Sequence, residues 1–150
     1  MKTFLNEQDK AEVLARLRRL QPNSGRRGGE MTAHQAICHL RDSFKAKFGE
    51  RPSSDASNLF TKTIMKWVAL KAPLPWPHGV PTMPENDQLL SGTPPVEFER
   101  DRQQLESLIE RFCQPGKDLA PHPYFGDMTE AEWLRWGYLH CDHHLRQFGV

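Results

Sequence analysis

The residues best suited to chemistry in this chain are its seven histidines, three of which crowd the stretch from Trp133 to Phe148. A helix advances about 100° per residue. With His140 at zero, His144, Gln147, His143, Trp136 and Trp133 then fall at roughly +40°, −20°, −60°, −40° and +20°. Leu134, Cys141, Leu145 and Phe148 fill the adjoining sector, and Arg135, Asp142 and Arg146 point away. The imidazoles therefore continue a line of tryptophans into an interior, where each ring nitrogen needs a partner. A divalent metal ion is one efficient partner, because an i, i+4 histidine pair such as His140 and His144 can share an ion. A hydrogen-bonded histidine cluster is the other reading.

A metal site needs at least a third protein ligand, and His39 is the best candidate. It lies mid-helix at the edge of an apolar arc made by Ala33, Ile37, Leu40, Phe44 and Phe48. Periodicity alone leaves it between ligand and half-exposed surface residue. Asp42 can accept the ring N–H of His39 and so orient it. His143 and Gln147 are candidates to hydrogen-bond a substrate. His34 sits in a capping turn near the outer face, His78 lies in a proline-rich loop without an assignable role, and His122, before Pro123 and Phe125, reads as a loop anchor.

The elements that must position these side chains all read as helices. Asn6 caps a helix through Leu20, which carries Val13, Leu14 and Leu17 at helical spacing. Thr32 and Gln35 form a capping box for a helix to about Phe48, with Gly49 as its stop. A third helix is predicted from Ser57 to Ala72, carrying Leu59, Phe60, Ile64, Trp67, Val68 and Leu70. Residues 73–95 hold seven of the twelve prolines, too many for a continuous helix. This stretch reads as a crossover between helices, with Trp76 and Val80 tucked onto the core. A fourth helix is predicted to open at Pro94-Pro95, run through Phe112 and stop at Pro115-Gly116. A second capping box, Thr129 and Glu132, opens the last helix, expected almost to Val150. The predicted fold is all-α, one domain over residues 1–150: a four-helix bundle with one long proline-rich crossover and an accessory helix.

Composition narrows the function. Twenty basic and nineteen acidic residues leave a net charge of +1, which supplies no field for a polyanion, so no nucleic-acid partner is expected. No run approaches the ~18 apolar residues of a membrane span. The N-terminus lacks the apolar stretch of a secretory signal, and Cys38, Cys113 and Cys141 form no C-x-x-C pair, so a cytoplasmic location is expected. Cys141 stands where a zincin would have its glutamate, which disfavours that proteolytic chemistry. The thiol lies among Leu145 and Phe148, where it reads as buried and inert rather than nucleophilic.

Taken together, His39-Leu40-x-Asp42 after a Thr32 cap, H-P-Y-F-G at 122–126, Thr129-x-x-Glu132-Trp133, and His140-x-x-His143-His144-Leu145-Arg146-Gln147-Phe148 resemble the DinB/YfiT-like superfamily. The segment pattern is similar to a branch of unknown function. The resemblance implies a four-helix bundle in which three histidines, here His39, His140 and His144, hold a divalent metal, zinc or nickel. It also implies a low-molecular-weight thiol as a possible cosubstrate, and a homodimer. The expectation is therefore a metal-dependent enzyme acting on a small molecule, by thiol transfer or hydrolysis. The competing expectation is a non-catalytic helical protein whose histidines form a polar cluster or hold a structural metal.

Overall fold

Side-chain caps start the helices where the sequence marks them. The Asn6 side chain accepts from the amides of Gln8 and Asp9 and opens α1, Glu7–Arg19. Thr32 and Gln35 satisfy one another's free backbone donors and open α2, Ala33–Lys47. Gly49, at φ +71°, takes the left-handed conformation that ends this helix. The computed structural model describes residues 1–77 and 82–150. Val80 and His78, assigned above to the crossover, lie outside the described residues.

The fold is all-α, and among the described residues the sole β-type pairing is an isolated bridge between His122 and Gly126. Three predicted elements differ in detail. A π-helical turn, Thr61–Met65, leads into the short α3, Lys66–Lys71. Of the predicted apolar face only Leu70 is buried, while Leu59, Phe60, Ile64, Trp67 and Val68 are exposed. The reason is position: α3 leans on α5 from the flank and meets no other long helix broadly. Next, α4 spans Phe98–Phe112, starting after Pro94-Pro95 rather than at it. The Glu97 carboxylate caps the amides of Glu99 and Arg100, which sets the start there. Finally, the capping box at Thr129 and Glu132 opens α5, Glu130–Arg146, capped at Gln147, a little short of the expected end close to Val150.

The long helices pack with α2 along α4 and α5 against α1. Phe44 of α2 is fully shielded, and its ring meets Phe112 of α4 and Trp136 of α5 at centroid distances of 4.9 and 5.8 Å. Arg16 of α1 reaches Asp142 of α5 at 2.7 Å and the carbonyl of Val150 at 2.9 Å. The helix α2 is covered on almost every side by α4, α5 and the crossover. Its polar residues His39, Arg41, Asp42, Ser43 and Lys47 are consequently buried with its apolar ones. The boundary position expected for His39 from the apolar arc does not hold, because that arc counts only one of the surfaces α2 presents to neighbours.

The crossover is tied down by polar contacts. Trp76 donates its indole N–H to the Ala69 carbonyl at 2.8 Å, and its ring packs against the core as predicted. A single 3-10 turn, Pro84–Asn86, lies over α2. The buried Asp42 carboxylate accepts the Thr93 amide at 2.7 Å and the Gln88 side chain at 3.3 Å. Arg51 donates to the Glu85 carbonyl and to Thr93 Oγ1. No helix is long and apolar enough to cross a membrane among the described residues.

A candidate metal centre between α2 and α5

The helices α2 and α5 run antiparallel. His39 therefore meets the late residues His140 and His144, while Lys47, two turns further on, meets Trp133 and Trp136. His140 and His144 are one turn apart on α5, so their rings lie on one face, with centroids 5.1 Å apart. The His39 ring stands 5.2 Å from that of His140 and 4.7 Å from that of His144. One nitrogen from each of the three rings lies within 4.8 Å of the others.

The outer nitrogens decide what the inner ones can do. His39 Nδ1 lies 2.9 Å from the Asn86 carbonyl, which only accepts, so Nδ1 carries the proton and Nε2 keeps its lone pair. That Nε2 faces His140 Nε2 at 3.1 Å. His144 Nδ1 donates to Gln147 Oε1 at 3.0 Å, and the Gln147 amide donates in turn to His143 Nε2 at 3.3 Å. His140 Nδ1 is buried and meets no hydrogen-bond partner among the described residues. Burial lowers the pKa of His39, against the opposing pull of the Asn86 carbonyl and Asp42. Burial and then the neighbouring imidazoles lower that of His140 well below the ordinary value. Both rings are held neutral, the form that ligates metal.

This donor set fits a divalent ion. Nitrogens bound to zinc at about 2.0–2.1 Å in tetrahedral geometry stand roughly 3.4 Å apart, close to the 3.1 Å of the His39–His140 pair. Two of the three rings have their far nitrogen anchored by an oxygen acceptor, the arrangement that orients metal-bound histidines.

The other candidate residues divide. Gln147 and His143 lie at the edge of the trio, joined to it through His144. Gln147 is packed under the loop that follows α1. Gly29 there, at φ +73°, passes so close that an added Cβ would sit 3.1 Å from the amide. Asp42 does not take the His39 ring N–H, which goes to Asn86 because the crossover brings that carbonyl in first; the carboxylate holds Thr93 and Gln88 instead. His122 anchors its loop as read from the sequence. Its Nδ1 accepts the amides of Tyr124 and Phe125, its ring stacks on Phe125 at 4.3 Å, and burial pushes its pKa down to about 2.

Residues missed at the sequence level are Asn86, whose backbone rather than side chain contributes, and Lys47. The spacing of Lys47 from His39, eight residues on one helix, was the available signal for it. Trp76 packs near His140 and His143, with centroids 6.1 and 6.2 Å away.

A second group, His34, Cys38 and Asp101, also has ligand atoms within 4.8 Å of one another. Its chemistry is that of an ion-pair hub. Asp101 accepts from His34 at 2.7 Å, from the Val96 amide at 3.2 Å and from the Arg41 guanidinium. Burial acts to raise the Asp101 carboxyl, but these donors outweigh it and hold the group at about 2. The Cys38 thiol is pushed up to about 12 by burial, and Cys113 to about 11, while burial raises Cys141 as well. All three cysteines are free. With thiols this reluctant to ionise, none is a ready nucleophile.

No curated protein and no solved structure matches the chain. A family model does match, over residues 2–149. The chain thus belongs to the family described as "Protein of unknown function (DUF1569)".

Proposed function

We propose that the chain is a metal-dependent enzyme acting on a small molecule, with a divalent ion held by His39, His140 and His144. The observation that carries this reading is the convergence of three buried imidazoles from two helices, two of them neutral by environment and two anchored at their far nitrogens. The resemblance of its motifs to those of the DinB/YfiT-like superfamily supports it and favours zinc or nickel. Three neutral imidazoles would leave such an ion its full charge, the chemistry that turns a bound water or thiol into a nucleophile near neutral pH. Asn86 and Gln147 hold two ligand rings in place, and the surrounding tryptophans exclude bulk water. Gln147 and His143 stand at the edge from which a polar group of the substrate would be hydrogen-bonded. Thiol transfer to a small electrophile and hydrolysis are the two reactions this arrangement serves. The three free cysteines suit a reducing compartment, the cytoplasm.

Metal analysis tests the centre. Purified protein reconstituted with zinc or nickel should hold about one ion per chain. His140→Ala and His144→Ala should each remove it while leaving the helical circular dichroism spectrum intact. Stoichiometry near zero in the wild type would end the proposal.

One observation favours a second reading, a closed structural metal site in a non-catalytic protein. His39, His140 and His144 are only 3%, 9% and 7% exposed. Cobalt-substituted protein separates the two, since an open position admits azide or a thiol and changes the visible spectrum, whereas a closed site does not.

The expected homodimer finds support in the apolar stripe that runs from Phe60 through the π-helical turn into α3. Phe60, Ile64, Trp67 and Val68 recur at i, i+4, i+7 and i+8 and face outward, with Trp67 64% exposed. Phe60 and Trp67 are 58% and 64% exposed, so somewhat more than half of the ~150–250 Å² each can bury is free to contribute to the roughly 800 Å² per partner of a standard interface. A second copy of the chain is the occupant this self-contained stripe suits. Sedimentation should give a dimer, and Trp67→Asp a monomer; a monomeric wild type would remove this part of the reading.

A further inference from the structure

Beyond the trio, α2 carries a buried cation with no ionic partner. Lys47 is 2% exposed. Its Nζ lies over the rings of Trp133 and Trp136, 5.5 and 5.7 Å from their centroids. It makes no side-chain hydrogen bond or ion pair among the described residues. The charged and titratable groups around it are few. Glu85 of the crossover acts on it electrostatically, but that carboxylate is engaged with the Ser54 amide. His122, packed on the same two tryptophans, is neutral. Burial accordingly pushes the Lys47 amine down to about 8. A lysine held this way weakens the fold, since an ammonium out of water needs an opposite charge and an aromatic face replaces only part of one.

The position of the amine is equally informative. Trp136 neighbours both groups, its ring centroid 5.7 Å from Lys47 Nζ and 4.8 Å from that of His140. The amine and the histidine trio thus share an indole neighbour along the seam between α2 and α5.

We propose that Lys47 is the anion-recognition group of this seam, receiving the carboxylate of a small organic acid. Its role in a reaction rests on the metal-dependent reading above; its binding of a carboxylate does not. A single ammonium matches a monoanion, whereas a phosphoryl group calls for several donors or an arginine fork, neither of which accompanies Lys47.

The test compares butyrate, hexanoate and phenylacetate, each against its own amide, on metal-free and zinc-loaded protein. Tryptophan fluorescence reads binding, since Trp133 and Trp136 line the position, and ¹⁵N NMR follows the Lys47 amine. At least one acid should bind tenfold or more tightly than its amide and raise the pKa of the amine. Lys47→Met should erase that preference while raising the melting temperature, because it removes an unpaired buried charge. Acid and amide binding alike, no saturable binding by any acid, a preference that survives Lys47→Met, or an amine whose titration a saturating acid leaves unmoved would overturn the proposal. The two readings fail separately. Acid preference without zinc uptake would sink the metal centre and leave the lysine site standing, and zinc uptake without acid preference would do the reverse.

Discussion

The backbone carbonyl of Asn86 accepts the Nδ1–H of His39 at 2.9 Å. One hydrogen bond thereby joins the proline-rich crossover to the candidate metal centre, because it fixes the tautomer that leaves His39 Nε2 free to ligate. The crossover is itself held by the buried Asp42 carboxylate, one turn from His39 on the same helix.

Asp42→Ala should therefore act on both stability and metal. It strands the Thr93 amide, which costs about 1–3 kcal/mol when buried, and frees the segment that positions Asn86. Removal of such supporting contacts lowers metal affinity by about 10–100-fold. Urea unfolding of the metal-free protein measures the first effect and chelator competition for zinc the second. A folded variant with wild-type zinc affinity would show that Asp42 does not support the centre.

Acid should destabilise the protein through His122. Its folded pKa of about 2 lies far below the ordinary 6.5, so between those values the unfolded chain takes up a proton that the folded one refuses. The contribution is complete above pH 6.5 and is lost progressively as pH falls toward 2. From pH 6.5 to 4.5 it amounts to about 2 kcal/mol. His39 and His140 shift in the same direction and steepen the wild-type curve. The slope difference between wild type and His122→Asn, which keeps an acceptor for the turn, isolates this residue. Parallel curves would disprove the assignment.

Gly137→Ala tests the packing of α5. A Cβ there would meet Phe112 Cε1 at 2.8 Å and two Phe4 ring carbons at 3.0 Å. Alanine normally helps a helix interior by about 1 kcal/mol over glycine, but overpacking a rigid aromatic core costs about 1–3 kcal/mol. Net destabilisation of about 1 kcal/mol is expected in thermal or urea unfolding. A more stable variant would mean that α4, α5 and the segment before α1 adjust more freely than their packing implies.

Much of this architecture was legible in the sequence because the signals are local. A cap needs only a side chain within three residues of the amides it satisfies, so Asn6, Thr32 and Thr129 announce their helices. The inward line of Trp133, Trp136, His140 and His144 follows from helical periodicity alone. Features set by contacts between distant segments leave no such local signal. The apolar stripe of the π-helical turn and α3 has the spacing of a core helix, yet it faces outward because no long helix covers it. His39 was placed at a boundary because a wheel cannot represent a helix buried on several sides.

What the amino-acid order determined was the type and rough extent of each helix and the clustering of His140, His143, His144 and Gln147 on one face. Tertiary packing decided which partners those side chains meet. The antiparallel passage of α2 along α5 brings His39 to His140 across 101 positions, and Lys47 to Trp133 and Trp136. The crossover selected a carbonyl, not the nearer carboxylate of Asp42, to orient the His39 ring. Periodicity reports the direction of a side chain relative to its own helix axis, whereas a coordination site depends on distances between helices, which are set only when the whole core closes.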